Sequence, residues 1–158
     1  MITLSFYRSE DFEDLTSYSL DEQQSQFTAM PKATLEIIKG KNTGDKFPVT
    51  IFYQHKAVGF FVLDFGEDKF ELTENKNSTL LRSLSINPDY QGKGIGKTSM
   101  IILSDFVKDN FPECDEVVLA VNFNNKSAYD LYLKCGFEDQ GKTRQMSKGW
   151  QNLLSKKI

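Results

Sequence analysis

The chain has 158 residues, the length of one domain, and balances 19 Lys and Arg against 22 Asp and Glu for a formal net charge of −3 at pH 7. That balance excludes a generic phosphate-backbone binder, which needs a basic excess, and no stretch approaches the ~20 apolar residues of a membrane span. Two cysteines and one histidine make neither a disulfide framework nor a zinc site, and the start Met1-Ile2-Thr3-Leu4-Ser5 lacks the basic-then-apolar pattern of a secretory signal. The expectation is a cytoplasmic single domain over residues 1–158, with no metal, nucleic acid or membrane as partner.

Residues 2–8 alternate enough for a first strand. From Ser9, a candidate N-cap, Phe12, Leu15, Tyr18 and Leu20 predict a short amphipathic helix. Residues 21–45 are polar and punctuated by Pro31, Gly40 and Gly44, which predicts one or two short helices and a loop. Phe47 to Tyr53 and Ala57 to Phe65 are rich in β-branched and aromatic residues around a polar Gln54-His55-Lys56, the pattern of a hairpin. The charged, Asn-containing stretch 66–78 continues it or loops out of it. Leu80 to Ile86 is the next strand, stopped by Asn87-Pro88.

After a glycine cluster at 92–96, Lys97 to Asn110 reads as a helix with Met100, Ile101, Leu103, Phe106 and Val107 inward. Val117 to Val121 is a continuous apolar strand, the pattern of a strand covered on both faces. Ala128, Leu131, Tyr132 and Cys135 then fall at helical spacing, with Asn124 or Asn125 as cap and Gly136 at the stop. A β-rich stretch over 137–156 ends the chain. The order predicts an α/β fold, a mixed sheet with helices on both faces.

The segment Gln91-Gly92-Lys93-Gly94-Ile95-Gly96-Lys97-Thr98 joins a strand to a helix. Glycines there let backbone N–H groups approach an anion closely, and the helix N-terminus adds a favourable dipole. Two nucleotide-handling patterns fail on it. A Walker loop needs Gly at 91, which is Gln, and a Mg²⁺-binding Asp at a strand end such as 122, which is Asn. A dinucleotide fingerprint starting at Gly92 needs Gly at 97, which is Lys. The pattern Gln/Arg-x-x-Gly-x-Gly/Ala is met by Gln91, Gly94 and Gly96.

On these residues the sequence resembles the GNAT superfamily of N-acetyltransferases. The likeness extends back through Leu84-Ser85-Ile86-Asn87-Pro88 and forward to Asn125-Lys126-Ser127-Ala128 and Leu131-Tyr132-Leu133-Lys134-Cys135-Gly136-Phe137. It spans residues 80–137, with the family's order and spacing. The resemblance implies a GNAT-like acyl-CoA N-acyltransferase fold and acetyl-coenzyme A as co-substrate, with no metal. It implies that backbone amides of Gly92, Lys93, Gly94, Ile95, Gly96 and Lys97 bind the pyrophosphate. Leu84, Ser85 and Ile86 would form an unpaired strand edge that takes the pantetheine arm through main chain, as an added strand would. Asn122 and Asn125 are further coenzyme contacts by this likeness, although Asn122 also reads as a strand-end turn and Asn125 as a helix cap.

Tyr132 matches the tyrosine that family members use as general acid, a phenol able to protonate the departing coenzyme thiolate. Tyr129 is a fallback donor. The general base departs from the family pattern: the usual acidic positions are Ala120 and Arg82 here, which leaves water or a distant acid such as Asp21 or Glu22. His55 reads as an exposed turn residue, and Cys135 and Cys114 as packing residues. The implied reaction is direct attack by an amine in a ternary complex. An acidic chain suits a small cationic acceptor, and Asp21 to Phe27 is similar to polyamine-type members. A peptide or protein amine stays open, as does a homodimer. The rival is a non-catalytic acyl-CoA-binding sensor or interaction module, favoured by the missing acid.

Overall fold

The computed structural model describes residues 1–41 and 43–158. Its framework is a seven-stranded sheet in the order β1-β2-β3-β4-β5-β7-β6, with β1 Ile2–Phe6, β2 Lys46–Tyr53, β3 Lys56–Asp64, β4 Ser78–Ile86, β5 Glu116–Asn122, β6 Glu138–Met146 and β7 Gly149–Lys157. All neighbours pair antiparallel except β4 with β5. A parallel pair needs a crossover, and α4, Ile95–Asn110, supplies it. Three helices lie between β1 and β2: α1 Phe12–Thr16, α2 Glu22–Ser25 and α3 Pro31–Lys41. The last helix, α5, Lys126–Lys134, leads from β5 to β6.

The middle of the sheet is covered on both faces, and β3 shows why, whereas the edge strand β6 is largely exposed. Every residue of β3 after Lys56 is buried, and its side chains divide between two layers. Val58, Phe61 and Leu63 pack with Met100, Leu103 and Val107 of α4 and Tyr132 of α5. Ala57, Phe60 and Val62 pack with Leu15 and Tyr18 and against Leu35 and Ile38 of α3. Each such fully buried side chain contributes about 1.5–3 kcal/mol. The β2–β3 turn is built on two consecutive left-handed residues, Gln54 at φ 49° and His55 at φ 68°, the backbone that matches the twist of a tight hairpin. His55 is exposed there, as its turn setting implied.

Several local expectations are corrected. Ser9 is not the cap: the chain enters a short 3-10 turn from Arg8, whose N–H donates to Asp11 Oδ2 at 3.1 Å. Phe12 is exposed, and Tyr18 lies beyond the end of α1 yet stays buried. On α4, Ile101 is half exposed; the inward stripe is Ile95, Ser99, Met100, Leu103 and Val107, centred nearly half a turn away from it. Residues 66–78 hold a 3-10 turn over Glu67–Glu71 that buries Lys69, whose Nζ donates to the carbonyls of Lys76 and Ser78, both at 2.9 Å. Charge there marks a satisfied interior lysine, which polarity alone does not distinguish from a loop.

Candidate active site

The parallel ladder between β4 and β5 is short. It pairs Ser78 to Leu80 with Glu116 to Val118 and then ends. Beyond Leu80, β4 keeps its partner β3 but passes through a bulge opposite Phe61, with Ser83 at φ 62°. A bulge bends and twists its strand, and here the two strands part. The opening is a cleft of about 510 Å³ lined by Leu84 to Ile86, Ala120 to Asn122, the glycine loop and residues of α5.

Antiparallel pairing fixes which main-chain groups face it. Asn87 N–H donates to Val58 O at 2.7 Å on the β3 side. Residue-by-residue alternation therefore turns the N–H and C=O of Ile86 and Leu84 the other way, toward the vanished β5 partner, while those of Ser85 face β3. Ile86 O already accepts from Gln91 Nε2 at 2.9 Å, so Ile86 offers the cleft its N–H. Ser85 reaches the cleft wall, but its hydroxyl is bonded to Tyr18 Oη at 2.8 Å in a buried pair. Burial, opposed in part by that bond, pushes the Tyr18 phenol up to about 12.

At the end of the parted strands lies the glycine loop. Gly92 and Gly94 have φ of 80° and 77°, conformations that glycine adopts at no steric cost. A Cβ added at either would meet nothing within 4 Å, so the loop's surface is open. Thr98 N–H bonds to Gly94 O at 3.0 Å, whereas no backbone carbonyl of the described residues accepts from the N–H groups of Gly92 through Lys97. These are the orphan donors of a helix start, gathered at the N-terminus of a 16-residue helix. Ile95 contributes main chain only, its side chain being buried in the core. Lys93 is exposed and lies outside the cleft lining, on a separate depression shared with Pro88 and Asp89; Lys97 lines the cleft.

The second block folds onto the opposite wall. Asn122 acts as a turn-maker: its Oδ1 accepts from Asn124 N at 2.9 Å and its Nδ2 donates to Lys148 O at 3.0 Å. Asn125 is the N-cap residue of α5 by position, and its carbonyl accepts from Tyr129 N, but its side chain makes no capping bond. Gly136, at φ 94°, ends that helix. Tyr132 is 9% exposed, stands edge-on to Phe137 with ring centroids 5.5 Å apart, and lines the cleft. Its hydroxyl has no hydrogen-bond partner among the described residues, and burial above all, with Cys135 nearby, raises its pKa. It is a phenol held protonated.

Tyr129 is engaged elsewhere, donating to Asp139 Oδ2 at 2.8 Å outside the cleft; that bond first, then burial, raises its pKa. The distant acids are not brought in. Asp21 Oδ1 caps α2 by accepting from Gln24 N at 2.7 Å, and neither Asp21 nor Glu22 lines the cleft. Gln24, Gln26 and Phe27, from the stretch singled out for its likeness to polyamine-type members, line the cleft, and the structure adds residues that sequence reasoning missed: Leu20 and Thr28 from the α1–α3 connection, and Lys148 and Gln151 from the β6–β7 hairpin. No local pattern announces them, because each reaches the cleft only through tertiary packing.

Comparison with known proteins agrees with this geometry. The sequence pattern of the acetyltransferase (GNAT) family matches residues 6–137. The Bacillus subtilis (strain 168) protein called uncharacterized N-acetyltransferase YbbJ is 39% identical over 154 residues, 97% of this chain and 95% of that one. A spermine/spermidine N(1)-acetyltransferase of the same strain is 32% identical over 95 residues, 60% of each chain. In fold, the aminoglycoside acetyltransferase AAC(6')-Ib with coenzyme A and kanamycin superposes with a TM-score of 0.80 at 19% identity, covering 99% of this chain and 95% of that one.

Proposed function

The chain belongs to the GNAT family of N-acetyltransferases, whose co-substrate is acetyl-coenzyme A, and from that premise we propose that residues 1–158 act as one domain that acetylates a primary amine by direct attack in a ternary complex. The observation that carries the reading is the early end of the β4–β5 ladder. It leaves the Ile86 N–H free at a slot whose far end is a ring of orphan amides, Gly92 to Lys97.

Acetyl-coenzyme A supplies an acyl thioester already activated toward an amine. The amides of Gly92 to Lys97, at the positive end of α4, would hold the pyrophosphate. Leu84 and Ile86 would take the pantetheine arm along their main chain, and the Ile86 N–H would stabilise the oxyanion that develops on the thioester carbonyl. Asn125, its side chain unbonded, is positioned to add a polar contact. Tyr132, kept neutral by burial, would protonate the departing thiolate. No Asp, Glu or His lines the cleft among the described residues, so the ammonium of the acceptor loses its proton to water.

A small cationic amine such as a polyamine is the favoured acceptor, supported by the net charge of −3 and by likeness to a relative named for spermine and spermidine. A peptide amine is the other acceptor class. The cytoplasm is the proposed compartment, in keeping with the unpaired thiols of Cys114 and Cys135. The acid-free cleft favours one second reading, a sensor that binds acyl-coenzyme A without turning it over. Incubation with acetyl-coenzyme A and a panel of polyamine, aminoglycoside and peptide amines, with products identified by mass, separates the two: an acetylated amine supports the enzyme, and its absence throughout supports the sensor.

A further inference from the structure

The connection between α1 and α3 is tied to the coenzyme side of the cleft at two points. One is the buried Tyr18–Ser85 contact. The other is a reciprocal amide pair: Gln24 Nε2 donates to Gln91 Oε1 at 3.1 Å, and Gln91 Nε2 donates to Gln24 Oε1 at 3.2 Å. Gln91 Nε2 also donates to Ile86 O. A primary amide carries two N–H donors, so Gln91 uses both, one on the strand of the slot and one on α2. Gln91 opens the glycine loop, and Gln24 sits in a four-residue helix.

A helix that short cannot hold itself together. Within α2, Asp21 caps Gln24, and the described side chains Glu22, Gln24 and Ser25 stay out of the buried core; the Gln24–Gln91 pair ties this short helix to the cleft. Immediately after it, Gln26, Phe27 and Thr28 line the cleft.

We infer that Gln24 is a positioning residue that couples occupancy of the glycine loop to the order of the cleft wall built from residues 20–28. This rests on the coenzyme reading of the loop. An anion held on the amides of Gly92 to Lys97 immobilises the loop and with it Gln91. The amide pair transmits that restraint to Gln24, and α2 carries it to Gln26, Phe27 and Thr28. The free Gln91 side chain cannot substitute, because its second donor is committed to Ile86. Coupling between two sites is reciprocal, so a ligand that orders residues 20–28 tightens coenzyme binding by the same factor. A pair of partly exposed amide bonds supports a factor on the order of five-fold.

Amide hydrogen exchange on the full chain, with coenzyme A as the probe, tests this without any knowledge of the acceptor. At matched saturation, coenzyme A is expected to slow exchange at 91–97 in wild type and in Gln24→Ala alike. It is expected to slow exchange at 20–28 in wild type only. Gln24→Glu keeps an oxygen to accept from Gln91 and should retain part of the effect, which a general loosening of the fold would not produce; this variant carries the test if Gln24→Ala does not fold. Equal protection of 20–28 in wild type and in the folded variants would overturn the coupling, as would a wild-type response confined to 91–97. Absence of any response at 91–97 in wild type would overturn the coenzyme reading itself, and the coupling with it.

Discussion

Arg82 Nη1 donates to Asp64 Oδ2 at 3.0 Å, and the Asp64 side chain is completely buried. Gly66 N–H, at 2.8 Å, and Lys46 Nζ, at 3.7 Å, complete the carboxylate's surroundings. Arg82 therefore answers a buried charge, and its second bond, to Asp68 at 3.1 Å, holds it in place. This gives a physical reason for a cation at a position where the family resemblance leads one to expect an acid: a glutamate at 82 would face Asp64.

Arg82→Glu is accordingly expected to destabilise the fold rather than supply a base. Breaking a fully buried pair costs about 3–5 kcal/mol; Arg82 is half exposed and Lys46 remains beside Asp64, so the expected loss falls below that range. Urea unfolding at neutral pH reads it. An unchanged midpoint together with faster acetyl transfer would show that residue 82 is free to be a base.

Tyr132→Phe is expected to lower kcat while leaving the fold and the coenzyme KM nearly unchanged. The ring keeps its edge-on contact with Phe137, and the hydroxyl has no partner to lose among the described residues. General acid catalysis contributes about 10²–10⁴-fold, and a thiol is a fair leaving group, so a loss near 10² is expected. Because burial raises this phenol's pKa, the wild-type rate should show no decline from Tyr132 ionisation through pH 10. Wild-type turnover in the variant, with chemistry rate-limiting, would reduce Tyr132 to packing.

Gly94→Val should weaken acetyl-coenzyme A binding at least ten-fold in a chain that still folds. No protein atom lies within 4 Å of the added Cβ, so the fold bears only the cost of a branched residue at φ 77°, about 1–2 kcal/mol. The new methyl groups stand in the open space an anion must enter to reach the amides. Titration calorimetry checks it; unchanged affinity would make the loop a turn and nothing more.

Tyr18→Phe should change the alkaline limb of the stability profile. Burial raises its folded pKa to about 12, above the ordinary tyrosine value of about 10. Below pH 10 both states hold the proton and the contribution is fully present. Between pH 10 and about 12 the unfolded chain releases the proton while the native one keeps it, so stability falls as pH rises. Removing the hydroxyl should flatten that fall and also leave Ser85 without its partner. A profile of the same slope in the variant would assign the alkaline loss elsewhere.

How much of this is legible in the chain follows from sequence distance. The strands, the glycine loop and α5 are local patterns, and Gln91, Gly94, Gly96 and Tyr132, singled out through the family resemblance, line one cleft. The role of Arg82 depends on Asp64, 18 residues away across a bulged strand pair. Gln24 and Gln91 are 67 residues apart, and the likeness of Asp21 to Phe27 to polyamine-type members carries no sign of that pairing. Ile101 shows the limit within a helix: apolar identity suggested burial, but the stripe is set by where the sheet lies.

The most direct test of the whole account is the initial rate of free thiol release from acetyl-coenzyme A, measured with and without each amine of the panel. Amine-dependent release that saturates with both substrates, and that falls about 10²-fold in Tyr132→Phe, is the predicted result. Tight binding of acetyl-coenzyme A with thiol release that no amine accelerates would contradict it and leave the chain as an acyl-coenzyme A sensor.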